Sequence, residues 1–266
     1  MPSLGLIAGS GHFPLMVARA ASHRGLDVHA VAHEYEADAS LELLVRSLVW
    51  VKVGQVSRIV RHLRSRGVDR AVMAGGIGRV RSLTEARPDW GALRIAASLR
   101  SFRDDEMLRG AAEYFERHGI QIVSPTDFVP EVLVEAGHLA GPSLSPRQRR
   151  DVEMGREVAR ALGTVDVGQT VVVKNGAVLA VEAVEGTDEA IRRGGRLGGP
   201  GAVVIKSAKP GQDVRFDLPA VGPTTLEIMR EVRASVLALE AGKTVLLERE
   251  AFVKWAARLG IAVLAE

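Results

Sequence analysis

SLGLIAGSGHFPLMVARAASHRG, residues 3–25, decides how the rest of the chain is read. Ser3 to Gly9 is a short apolar run stopped by glycine, as a buried strand would be. GSGHFP makes a turn, and Pro14 suits the first turn of a helix because its missing N–H is not needed there. The helix that follows is closed by Gly25. The unit then recurs. DVHAVA (27–32) is a strand, GQVSRIVRHLRSRG (54–67) a helix ending in glycine, and DRAVMAGG (69–76) a strand ending at Gly75 and Gly76. DDEMLRGAAEYFERHG (104–119) is an acid-capped helix with Leu108, Ala111 and Phe115 on one face, and IQIVSP (120–125) is another strand. Strand, glycine turn and helix in alternation predict a parallel sheet with helices on both faces.

Beyond Pro142 the pattern changes. SLSPRQRRDVEMGREVARALG (143–163) predicts a helix capped by Ser145 with Pro146 in its first turn. TVVVKNGAVLAVEAVEG (170–186) holds Asn175-Gly176 between two apolar runs, a hairpin signal. TLEIMREVRASVLALEAG (225–242) predicts one long helix, and the remainder closes as strand, helix, strand. The fold class is therefore α/β, with a parallel-sheet domain over 1–138 and a mixed α/β domain over 139–266, and GHLAGPSLSP as the linker. No repeat or low-complexity segment interrupts either.

Composition narrows the class. With 266 residues, 47% hydrophobic and 25% charged, the chain has the make-up of a soluble globular protein whose core is Leu, Val and Ala, since aromatics are 4%. Zero cysteines exclude disulfides and thiolate metal sites and suit a reducing cytoplasm. The N-terminus lacks a signal-peptide pattern, and no run has the length of a membrane span. A net charge of +3 and a pI near 9.5 suit anionic small molecules or an anionic membrane surface.

Several segments carry the residues for phosphate chemistry. Gly9-Ser10-Gly11 lets backbone approach an anion at a helix N-terminus. The dinucleotide fingerprint would need a third glycine where Pro14 stands. Gly75-Gly76-Ile77-Gly78-Arg79 follows another strand and brings a second glycine turn, with an arginine, to the same sheet edge. Asp104-Asp105-Glu106 opens a helix. EGTD (185–188) turns into a helix, with Thr187 or Asp188 as its cap and Arg192 and Arg193 within it. In IKSAKPGQDVRFDLPAVGPTTLE (205–227), a strand through VRFDLP would point Asp213, Arg215 and Asp217 to one face. Pro219 would end it, and Gly222-Pro223 would open a helix near Thr224 and Thr225. Carboxylates for a hard cation, beside Lys and Arg for phosphoryl oxygens, are what phosphoanhydride hydrolysis requires. P-loop, nucleophile-elbow and HExxH motifs are absent, the seven histidines do not cluster, and basic residues are not interleaved with aromatics as nucleic-acid binding would have them.

In their order, LGLIAGSGHFP, MAGGIGRV, DDEMLR, DVGQTVVVKNGAVLAVEAVEGTDEAIRR and KSAKPGQDVRFDLPAVGPTT resemble the UDP-2,3-diacylglucosamine pyrophosphatases of lipid A biosynthesis that are unrelated to calcineurin-like phosphoesterases. Two departures stand in loops: Arg79-Val80 where the family often has Arg-Pro, and Ala220-Val221-Gly222 where it often has Thr-Ile-Gly. The resemblance implies two tethered α/β domains, the first Rossmann-like and the second catalytic, and Mg²⁺-dependent hydrolysis of UDP-2,3-diacylglucosamine to UMP and 2,3-diacylglucosamine 1-phosphate (lipid X). It places the family's catalytic aspartate on Asp217.

With it, Asp217, Asp213 and Glu185 are expected as catalytic carboxylates and ligands of Mg²⁺ (or Mn²⁺). Gly9, Ser10, Gly11, Gly75, Gly76, Arg79, Asp105, Gln169, Thr187, Asp188, Lys206, Lys209, Arg215, Gly222 and Thr225 are expected to contact substrate. The expected partners are the lipid-linked UDP-sugar and, peripherally, the inner-membrane surface from the cytoplasmic side, with no nucleic acid. Two rivals are weighed against this reading. A sugar-nucleotide-binding regulator predicts affinity without turnover, and an NAD(P)-dependent oxidoreductase built on GSGHFP is opposed by Pro14.

Overall fold

The structure is a computed structural model that describes residues 2–77, 86–99, 104–215 and 218–266, with Asp104 and Asp105 described by their backbone alone. The chain divides into two compact units. One takes residues 1–130 together with 213–217, and the other takes 131–212 and 218–266. A short piece of the C-terminal half thus belongs to the first unit.

In the first unit, β1 (Ser3–Ala8), β2 (Asp27–His33), β3 (Ser47–Val51), β4 (Arg70–Ala74) and β5 (Gln121–Val123) form an all-parallel sheet in the order β3-β2-β1-β4-β5. The alternation in the sequence predicts this sheet. The alternation does not single out β3 or the helix over 90–98. Helices α2 (Val56–Ser65) and α4 (Asp104–Arg117) cover one face, where Ile59, Leu63, Ala112 and Phe115 pack on Ile7, Val31 and Val51. α1 (Phe13–His23) takes the other face, as right-handed crossovers in opposite directions from β1 require. α3 (Trp90–Ser98) lies across α2 and α4: a Cβ on Gly91 would meet Ser57 and Tyr114, and Ile95 packs on Gly110. Asp89 fixes this crossing. Its Oδ2 accepts from Ser57 N (2.7 Å) and Arg58 N (3.3 Å), and its Oδ1 from Ser57 Oγ (3.1 Å), Gly91 N (2.9 Å) and Ala92 N (3.2 Å). One carboxylate therefore caps two helices.

In the second unit, β6 (Gly137–Ala140), β7 (Thr170–Lys174), β8 (Ala177–Val181), β9 (Val203–Lys206), β11 (Val236–Leu239) and β13 (Ala262–Ala265) form a mixed sheet in the order β6-β13-β11-β9-β7-β8. β9, β11 and β13 run parallel, while β6 and β7 join antiparallel. β10 (Ala220–Val221) and β12 (Val245–Leu246) make a separate small pair. Strand residues alternate between two cores. Val171, Val173, Val203, Ile205, Val236 and Ala238 face α5 (Pro146–Thr164). Val172, Val204, Leu237 and Leu239 face α6 (Thr187–Gly198), α7 (Pro223–Glu231) and α8 (Arg249–Leu259). The predicted start of α5 is borne out, with Ser145 accepting from Gln148 N and the Gln148 side chain accepting from Ser145 N. The hairpin is as predicted too: Asn175 has φ +54 and Gly176 φ +74, and the buried Asp151 accepts from both their N–H groups.

Three expectations are corrected. The long helix over 225–242 is instead α7, a left-handed Arg233 (φ +55), and strand β11. VLAL is buried on both faces, and a continuous apolar run of that kind fits a buried strand as well as a helix. Neither Thr187 nor Asp188 caps α6; Gly186 does, at φ +85 and ψ 172, a conformation suited to glycine. Finally, Asp213–Arg215 is a turn and not a strand, because Arg215 N donates to Asp213 Oδ1 (3.0 Å) and closes the backbone on itself.

Candidate active site

The parallel strands of the second unit end together, and their C-terminal edge is where open α/β sheets present ligand-binding groups. Lys206 is the last residue of β9, paired in register with Thr170, the first of β7. Both share the parity of Val204 and Val172, so both point to the α6–α7 face. Lys206 is 8% exposed, a depth at which an ammonium must be held by polar partners. Its Nζ donates to Thr187 Oγ1 (3.0 Å) and to Ala220 O (2.9 Å). Thr187 is the first residue of α6, and it is available for Lys206 because Gly186 takes the cap. Its hydroxyl donates to Glu182 Oε2 (3.2 Å) and lies 3.3 Å from Thr170 Oγ1. Ala220 stands two residues before Gly222, the N-cap of α7. A buried ammonium thus sits beside the N-termini of two helices, and all three sources of positive potential favour an anion. Thr170 and Glu182, neither given a role from the sequence, belong to this cluster. The register partner of Lys206 and the strand end of β8 were the signals that could have found them.

The other expected residues fall in several places. Thr225 is buried in the first turn of α7, and its N–H donates to Gly222 O (2.9 Å). Lys209 is partly buried in an ion pair with Asp166, and its N–H donates to Gln212 Oε1 (2.8 Å). Gln169 accepts at its backbone oxygen from Ser207 N (3.0 Å), while its side-chain Oε1 is buried without a partner. Glu185 is exposed and paired with Arg193, which also donates to Val181 O (2.7 Å). Its carboxyl is held below the usual range first by its own backbone N–H and then by Arg193. Asp188 is exposed in the first turn of α6.

Gly9, Ser10, Gly11, Gly75 and Gly76 lie in the first unit, at the ends of β1 and β4, where the strand order reverses. The two turns lock together: Gly9 N donates to Ala74 O (2.9 Å), and Ser10 N (2.7 Å) and Oγ (3.0 Å) to Gly76 O. A Cβ on Gly9 would stand 2.3 Å from Gly76 O. An anion at this turn would therefore meet Gly11 and the start of α1. Asp213 and Arg215 also belong to the first unit. Arg215 Nε and Nη2 hold both oxygens of Asp213 (3.0 and 2.7 Å), and its Nη1 donates to Glu116 Oε1 (2.9 Å). The guanidinium keeps the Asp213 carboxyl well below the ordinary range. Ser124 Oγ adds a bond to Val214 O (3.1 Å). Asp217 and Arg79 lie outside the described residues, as does the side chain of Asp105.

Asp213 and Glu185 are each paired with an arginine, and among the described residues no three metal-binding side chains cluster.

Residues 3–132 match the family described as the LpxI N-terminal domain, and residues 135–264 the LpxI C-terminal domain. A protein of Caulobacter vibrioides described as UDP-2,3-diacylglucosamine pyrophosphatase LpxI is 34% identical over 277 residues, covering 99% of this chain and 97% of that one. The chain belongs to the LpxI family. Solved structures resemble this LpxI chain distantly. The biotin carboxylase domain of a thermophilic 2-oxoglutarate carboxylase aligns over 75% of this chain and 34% of its own, at 18% identity and a TM-score of 0.29. The protein gox2253 aligns over 98% and 84%, at 12% identity and 0.32. Likenesses at that level carry no argument.

Proposed function

We propose that this protein hydrolyses the pyrophosphate bond of UDP-2,3-diacylglucosamine in lipid A biosynthesis, releasing UMP and 2,3-diacylglucosamine 1-phosphate (lipid X), and that it requires Mg²⁺ or Mn²⁺. The observation that carries the reading is the buried Lys206 ammonium between two helix N-termini, in a chain that shares a third of its residues with a pyrophosphatase over nearly its whole length.

The reaction adds one water across a phosphoanhydride. Water oxygen bonds to one phosphorus, the bridging oxygen leaves with its electron pair on the other phosphate, and the protons go to solvent or to a carboxylate. Negative charge grows on the departing phosphate, and preorganised donors that need no rearrangement stabilise it most. Lys206 is such a donor, since Thr187 and Ala220 fix its position. Asp217 is assigned to orient the water. Asp217 is the carboxylate proposed to hold the cation, which when bound would supply charge neutralisation for the diphosphate. No helix among the described residues is long and apolar enough to cross a membrane. As part of the same proposal, the protein works in the cytoplasm and meets its lipid substrate at the inner-membrane surface.

The test is UMP release from UDP-2,3-diacylglucosamine in detergent, by wild type and Asp217→Ala, with Mg²⁺ or with EDTA. Metal-dependent release lost in the variant is expected. Release by both proteins would remove Asp217 from the chemistry, and nucleotide binding without release would make the protein a binding module.

A further inference from the structure

Resting on that reading, we propose that the outward face of α3, with the arginines of α2 beside it, is the surface that docks on an anionic lipid bilayer. α3 lies outside the layer formed by α2 and α4, with Gly91 and Ile95 turned inward. Trp90, Leu93, Arg94 and Ala97 follow at spacings of three, four and seven residues, so they share the opposite face. All four are exposed: Trp90 is 80% exposed and Leu93 49%. A tryptophan left in water forfeits one of the largest burial gains any side chain offers. At a lipid headgroup layer, a ring with an apolar body and one N–H is at home.

The charge around this face selects the occupant. Residues 43–68 contain Arg46, Lys52, Arg58, Arg61, Arg64 and Arg66 and no acidic residue. Arg58 and Arg61 are exposed on α2, and the Arg58 N–H rests on Asp89, the residue before Trp90. Asp89 is the acidic residue of 86–99, and its carboxylate is spent capping the two helices. Tryptophan and leucine flanked by arginines is the composition of a helix that lies in the interface of an anionic bilayer. A second copy of this chain is a poor occupant, because a two-fold contact through this face would bring Arg58, Arg61 and Arg94 towards their own copies. The proposed substrate carries two acyl chains and resides in a bilayer, which supplies the reason for such a face.

The test uses the full chain with vesicles of phosphatidylethanolamine and phosphatidylglycerol, or of phosphatidylcholine alone, read by co-sedimentation. Wild type is expected on the anionic vesicles, with the double variant Trp90→Ser/Leu93→Ser at least tenfold weaker. Arg58→Glu/Arg61→Glu, which leaves the apolar residues in place, is expected to weaken binding at least tenfold and to remove the preference for phosphatidylglycerol. Both variants should release UMP from substrate in detergent as wild type does, and lag on substrate embedded in vesicles. Vesicle binding unchanged in both variants would overturn the proposal. So would a dimer that falls apart on the Trp90→Ser/Leu93→Ser change, which would give the face to a second copy, or loss of an acidic protein partner with vesicle binding retained. Face-dependent vesicle binding without UMP release in detergent would leave the docking surface standing and remove the pyrophosphatase reading.

Discussion

At the scale of single residues, Lys206 is the sharpest case. Its ammonium is buried among polar groups, so removing it leaves Ala220 O and the Thr187 hydroxyl without their donor, a loss of about 1–3 kcal/mol. Lys206→Met is therefore expected to fold with a somewhat lower thermal midpoint while UMP release per folded protein falls about 10²- to 10³-fold, the range for losing one preorganised charge donor. A loss of activity that tracks a loss of folded protein would count against the assignment. The sequence made Lys206 visible as one of two lysines in a phosphate-rich context, but it did not separate them. Lys209 is closed in an ion pair with Asp166, 43 positions away, and no local pattern announces a partner at that distance. The same holds for Asp213 and Arg215. Alternating charges suggested a common face, yet the two neutralise each other across a turn, because an aspartate side chain two residues before an N–H competes well with a sheet ladder.

Elements show where local chemistry suffices and where it does not. Ser145 with Pro146, and Asn175 with Gly176, are read correctly because cap and turn geometry are set by the residues themselves. The strand VLAL inside a predicted helix is settled by its neighbours β9 and β13, which lie far along the chain. Asp89 is a second non-local device, since the sequence RPDW says nothing of α2. Removing its carboxylate opens two helix N-termini at once. Asp89→Ala is expected to cost about 1–4 kcal/mol, twice the usual loss for one cap, and Asp89→Asn less. Urea midpoints of the three proteins check the order, and equal midpoints would show that backbone packing alone holds the crossing.

At the scale of the whole molecule, the parallel sheet of the first unit and the mixed sheet of the second follow the alternations of the sequence, while the exchange of residues 213–217 between units has no sequence signal. The first unit also carries a pH dependence. His29, His33 and His62 are all pushed below the ordinary histidine value, chiefly by burial; His33 is 5% exposed with Nδ1 unpartnered. Below pH 6.5 the unfolded chain takes up protons that the folded histidines refuse, so stability falls as pH drops from 7.5 towards 5.5. Each histidine contributes a slope of at most about 1.4 kcal/mol per pH unit. Unfolding midpoints across that range should fall, and His33→Leu should flatten the decline; a flat wild-type profile would contradict it. The donated segment bears on ancestry as well. A gene cut after residue 130 would encode a first half in which Glu116 and Ser124 lack Arg215 and Val214. The halves are thus poor candidates for shuffling into new proteins as separate cassettes, and the two matched regions would be inherited together.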